Sequence, residues 1–82
     1  MRGIQEDSAY YKEFTKFSQK LSEKILTLRK NNKLTQEDMM RFELSLRQFQ
    51  RIEQNQTSNI TLSNLFKIAK AFGIEPKDLL DV

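Results

Sequence analysis

The chain has 82 residues, enough for one domain, and carries 14 basic against 11 acidic side chains for a net charge of +3. It contains neither cysteine nor histidine, which removes disulfides, thiolate or imidazole metal sites and histidine bases together. With only two glycines, Gly3 and Gly73, a glycine-rich phosphate loop is excluded as well.

No apolar run is long enough to span a membrane, and residues 1–30 lack the apolar centre of a signal peptide. A cytoplasmic protein with no cofactor, metal or small-molecule ligand is expected. A chain this short buries a modest core, so association with a second copy is expected too. The remaining titratable groups are Asp, Glu, Lys, Arg and Tyr, and the carboxylates fall at solvated positions of the helical pattern. Catalysis needs acid and base groups set against each other in a cleft; no such pair is evident, and an enzyme is not expected.

Taken in order, residues 1–7 have no periodicity and are expected to be disordered; residues 8–82 form the single domain. From Ser8 to Asn31 there is no Pro or Gly, and Tyr10, Phe14, Phe17, Leu21, Ile25 and Leu28 recur at alternating steps of four and three. That stripe predicts one long amphipathic helix. Its lower half, Leu21 to Leu28, belongs to the core. Its aromatic upper half, Tyr10 to Phe17, either caps the same core or faces a partner chain. The row Lys12, Lys16, Lys20 and Lys24 reads as a solvated face.

Asn31-Asn32-Lys33 ends the helix, since Asn tolerates the left-handed conformation found at helix ends. Three helix-start patterns follow closely: Thr35 with Asp38, Ser45 with Gln48, and Thr61 with Asn64. In each, a hydroxyl can accept from the backbone N–H three residues on. The second helix is predicted from about Thr35 to Phe42 with Met39 and Met40 inward, and Glu43-Leu44 as the turn. The third is predicted over Ser45–Gln54 with Phe49 and Ile52 inward, leaving Leu46, Arg47, Gln48, Gln50 and Arg51 on the outer arc. Gln54 to Asn59 reads as a polar loop. The fourth helix, about Thr61 to Phe72, places Leu62, Leu65, Ile68, Ala69 and Phe72 on one face, and Gly73 stops it. Pro76 starts a short fifth helix anchored by Leu79 and Leu80. The fold class is all-α with five helices, and residues 35–54 are two short helices around a tight turn, a helix-turn-helix.

The outer arc of the third helix has Arg47 and Arg51 one turn apart. Arg can bridge guanine O6 and N7 in the major groove, and Gln can bridge adenine N6 and N7. The same residues also fit an ordinary solvated face. The absence of any carboxylate from Leu44 to Ile52 favours a phosphate-bearing partner.

The stretch Leu34–Leu80 resembles the lambda-repressor-like (Cro/C1, or XRE) helix-turn-helix family. The matching segments are Ile25-Leu26-Thr27-Leu28-Arg29, Leu34-Thr35-Gln36-Glu37-Asp38, Arg51-Ile52-Glu53, Asn59-Ile60-Thr61-Leu62 and Leu65 through Ile74. The resemblance implies a five-helix lambda-repressor-like domain, here with an extended first helix, whose third helix enters the major groove of double-stranded DNA. By position it makes Leu46, Arg47 and Arg51 base-reading. It makes Gln36, Ser45, Gln48, Gln54 and Gln56 contacts to the DNA backbone or groove edge. Leu46 would touch a thymine methyl or pack against Met40. Arg29 and Glu53 match a pair that forms a structural salt bridge in some members.

The sequence departs from the family pattern in three places. The interval from Gln36 to Ser45 is one residue shorter, Asn55 stands where Gly is usual, and the loop from Glu53 to Asn59 is one residue longer. The expectation is a small homodimeric transcription regulator, its dimer surface built from the fourth and fifth helices with Leu79, Leu80 and Val82. The aromatic upper half of the first helix is the competing surface. Controller proteins, phage-type repressors and antitoxins are all stand-alone domains of this kind. The other reading is a protein-interaction helix-turn-helix module, or an antitoxin component that grips a partner protein.

Overall fold

Helix α1 (Tyr11–Asn31) is unbroken over 21 residues, as the absence of Pro and Gly requires. The computed structural model describes residues 4–55 and 60–82. The segment expected to be disordered lies partly outside that range. Its described end forms a turn in which Ser8 N donates to Gln5 O at 2.9 Å. Next, Ser8 Oγ accepts from Tyr10 N at 3.1 Å just before α1 begins. At the far end Asn32 Nδ2 donates back to Leu28 O at 2.7 Å. The left-handed residue is Lys33, with φ 56°, and neither asparagine. Asn32 is instead used as a side-chain donor to the last turn.

The Thr35/Asp38 pair closes in both directions: Asp38 N donates to Thr35 Oγ1 at 3.0 Å and Thr35 N to Asp38 Oδ2 at 2.8 Å. The element that follows is a 3-10 helix, Glu37–Phe42, where an α-helix from Thr35 was expected. The short interval before Ser45 gives the physical reason. Six residues rising about 2 Å each cover about 12 Å, whereas seven α-helical residues cover about 10.5 Å. Overwinding thus recovers the length that a missing residue would remove. It also changes which side chains point inward. Met39 is fully buried, while Met40, expected inward, is 53 % exposed. Phe42 packs partly buried against the core.

The turn needs a left-handed residue, and Glu43 supplies it at φ 63°. Lys67 Nζ reaches across to the Glu43 carbonyl at 3.1 Å. Leu44 is buried directly after it. Helix α2 (Leu46–Glu53) starts at Ser45, whose hydroxyl accepts from Gln48 N at 3.3 Å. Phe49 and Ile52, three apart, both turn into the core. Asn55 takes the left-handed conformation at φ 55°.

Helix α3 (Leu62–Phe72) starts at Thr61, which accepts from Asn64 N at 3.1 Å, and stops at Gly73, φ 69°. Leu65, Ile68, Ala69 and Phe72 are buried as expected, but Leu62 is 81 % exposed. It occupies the first helical position, one turn beyond the point where the core ends. Helix α4 (Pro76–Leu79) carries Pro at its first position, with Asp78 Oδ2 accepting from Glu75 N at 3.4 Å. Leu79 is completely buried and belongs to the core, so it cannot contribute to a dimer surface; Leu80 and Val82 remain exposed.

Helix α3 is central: it packs against the 3-10 helix, α1 and α4, while α2 packs between α1 and the 3-10 helix. All secondary structure among the described residues is helical, in five elements. The core is Ile25, Met39, Leu44, Phe49, Ile68 and Leu79 with their neighbours. The molecule measures 38 × 23 × 18 Å, and its long dimension approaches the length of α1, about 32 Å.

Candidate nucleic-acid interface

The outward face of α2 is built by elimination. Phe49 and Ile52 commit one side of the helix to the core, which leaves Arg47, Gln48 and Arg51 on the outer side while Gln50 and Glu53 fall at the margin. Arg47, Gln48, Arg51 and Gln54 are exposed, Ser45 is exposed at the cap, and Leu46 is half-buried. Arg47 and Arg51 are four apart and lie on one stripe of the helix. The first turn of α2 contains no acidic residue. Its positive dipole end is therefore unopposed. Gln56 lies outside the described residues.

The inner margin of α2 is held by a polar chain. Arg29, near the end of α1, donates from Nε to Glu53 Oε2 at 2.5 Å and from Nη2 to Glu53 Oε1 at 3.3 Å. The same guanidinium donates from Nη1 to Leu34 O at 2.8 Å. Glu53 Oε1 also accepts from Gln36 Nε2 at 2.8 Å, and Gln36 Oε1 accepts from Gln50 Nε2 at 3.2 Å. The side chains of Arg29 and Glu53 are 12 % and 4 % exposed. A carboxylate so buried needs charged and hydrogen-bonded partners on both oxygens, and Glu53 has them. One chain of contacts thus ties α1, the start of the 3-10 helix and α2 together.

This network assigns Gln36 and Gln50 differently from the sequence reading. Gln50, placed on the outer arc by periodicity, is half-buried and turned toward Gln36. Gln36 uses its oxygen and one amide proton inside the protein; a primary amide has a second proton. Gln50 is the residue that the sequence reading missed as a positioning group. Its sequence signal is faint: a polar residue one turn before the buried Glu53.

Asp38 sits on the rim of the same region. Its carboxyl is held below the ordinary 3.8, chiefly by the hydrogen bond from the Thr35 backbone, then by the Thr35 hydroxyl and by Arg41. Arg41 Nη2 lies 3.5 Å from Asp38 Oδ1. Asp38 is thus paired with Arg41 within its own element. Beyond the turn, Lys70 Nζ stands 5.3 Å from the centre of the exposed Phe66 ring, a cation–π contact.

No group of His, Cys, Asp and Glu among the described residues is arranged to hold a metal ion. No helix among them is long and apolar enough to cross a membrane. A family model described as "Helix-turn-helix domain" matches residues 22–82. No curated protein and no solved structure matches the chain. The match runs from the lower half of α1 through α4 and takes in the capped turn, the outward arginines of α2 and the Arg29–Glu53 pair. The chain belongs to the DNA-binding helix-turn-helix family of the Cro/C1, XRE type.

Proposed function

We propose that the protein is a sequence-specific transcription regulator that binds double-stranded DNA as a homodimer, with α2 seated in the major groove. One observation carries the reading. Arg47 and Arg51 project from a helix whose other side is locked to the core and to α1, so their placement is fixed before any ligand arrives. Arg47 and Arg51 read base edges, and the half-buried Leu46 offers a methyl contact beside them. Ser45, Gln48 and Gln54 border the groove and meet the sugar-phosphate backbone. Gln36 holds a phosphate through its remaining amide proton while the rest of its side chain stays in the network. Two copies read half-sites about one helical turn apart, roughly 34 Å. The role is one of binding, not catalysis, and suits a cytoplasmic protein.

Fluorescence titration with random-sequence DNA at two salt concentrations tests the electrostatic half of this reading. Binding should weaken steeply as salt rises. No binding at low salt would defeat it and leave the protein-interaction module or antitoxin as the reading. That rival draws support from the exposed aromatics of the upper α1, Tyr10 and Phe17. The specific half is tested on a sequence selected from a random pool. There Arg47→Ala and Arg51→Ala should each lose about 1–3 kcal/mol, and less on random DNA. Equal loss on both would show that these arginines meet only phosphate.

A further inference from the structure

The sequence offers two separate candidates for a dimer surface, the aromatic upper half of α1 and the C-terminal helices. In the fold they are the two walls of one groove. Phe14 and Phe17 line it from α1, Leu62 from the start of α3 and Leu80 from beyond α4, over a floor that includes Leu21 and Leu65. Its volume is about 280 Å³. The wall residues are large and uncovered: Phe17, Leu62 and Leu80 are all exposed.

We infer that this groove is where a second copy of the chain docks, each protomer laying its Phe17 and Leu62 ridges into the slot of the other. The inference rests on the dimeric part of the reading above and assigns that dimer a surface. Two observations select a second copy as the occupant. A slot flanked by protruding apolar ridges presents both halves of its own complement, which is what a twofold interface requires. The walls also carry opposite charge at their exposed edges, Lys20 one turn from Phe17 on α1, and Asp81 beside Leu80. A copy turned about a twofold axis sets the basic edge of one protomer toward the acidic edge of the other. Lys24 Nζ, which donates to the Asp81 carbonyl at 2.7 Å, keeps the two walls of one protomer at a fixed spacing.

The position also agrees with DNA reading. Ile52, on the inner side of α2 near its C-terminus, reaches the groove floor. Arg47 and Arg51 are not among the residues that line the groove.

Sedimentation equilibrium of the intact chain and of three variants tests the assignment. The unaltered chain should be a dimer. Leu62→Asp and Phe17→Asp, both at exposed positions, should each raise the dimer dissociation constant by more than about tenfold. The circular dichroism of both should stay unchanged, and an aspartate at the first position of α3 suits the helix dipole. Met40→Asp, at an exposed residue of the 3-10 helix that does not line the groove, should leave the dimer intact. A dimer that neither groove variant weakens would place the interface elsewhere and overturn the inference, while the dimeric reading would stand. A monomer at all concentrations would overturn both. Random-DNA titration of the same samples reports separately on nucleic-acid binding, whose loss would leave the groove assignment untouched.

Discussion

The two halves of α1 carry the same apolar stripe at the same spacing and meet opposite fates. From Leu21 to Leu28 the stripe enters the core, with Ile25 wholly enclosed. Above Leu21 the stripe continues through Phe17 and Tyr10, which remain exposed. Periodicity states which face of a helix is apolar; it does not state what covers that face. The lower half also ends in Arg29, so it does two jobs at once, packing the core and fixing α2 through Glu53. Above Leu21, Ser18 Oγ donates to Asn55 Oδ1 at 2.8 Å, just past the end of α2.

The contrast can be broken or sharpened by substitution. Arg29→Ala leaves the buried Glu53 carboxylate without its charged partner and should cost about 3–5 kcal/mol in chemical denaturation. A cost near zero would mean that water reaches Glu53. Ile25→Ala, in the lower stripe, opens a cavity among fully buried neighbours and should cost about 2–5 kcal/mol. Ser45→Ala removes the hydroxyl that caps α2 and should cost about 1 kcal/mol, with a matching loss of affinity for DNA if the helix start frays. Phe17→Ser, in the upper stripe, should change the stability of the monomeric chain by no more than about 0.5 kcal/mol. If Phe17→Ser costs as much as Ile25→Ala, the two halves of α1 are one core and the comparison fails.

The smallest effect is expected from acid. Because the folded chain holds the Asp38 carboxyl below 3.8, the unfolded chain takes up that proton more readily. The contribution is complete above pH 3.8 and disappears as pH falls through the lowered folded value. Asp38→Asn should flatten that part of the stability profile, measured by thermal melts across the acid range. An unchanged profile would show that other carboxylates dominate it.

Much of this architecture was legible because it rests on local chemistry. The unbroken α1, the three Thr or Ser caps and the Gly73 stop each depend on residues within one or two turns of each other. The inward pair Phe49 and Ile52 also followed from spacing alone. The errors fall where neighbours compete for one core position. Met39 and Met40 are adjacent, and the choice between them turns on whether the helix winds at 3.0 or 3.6 residues per turn. Leu79 ends, and Leu80 follows, a helix too short to set a phase. Leu62 matches the stripe of α3 but stands where the core has already ended. The chain of contacts from Arg29 to Gln50 joins residues far apart in sequence, and only the Arg29–Glu53 link was visible, through family resemblance. Gln50 was hidden because a glutamine on an inner margin looks the same in sequence as one in water.

The tight winding of Glu37–Phe42 has a consequence for how such chains are compared. Counting residues treats a deletion as a displacement of everything downstream. Here six residues at a 3-10 rise span about as far as seven at an α-helical rise, and Met39 rather than Met40 turns inward. A gap in an alignment at this place therefore reports on phase rather than distance. Restoring a residue between Gln36 and Ser45 would tend to relax the coil and turn Met40 back inward, leaving Arg47 and Arg51 near where they already stand.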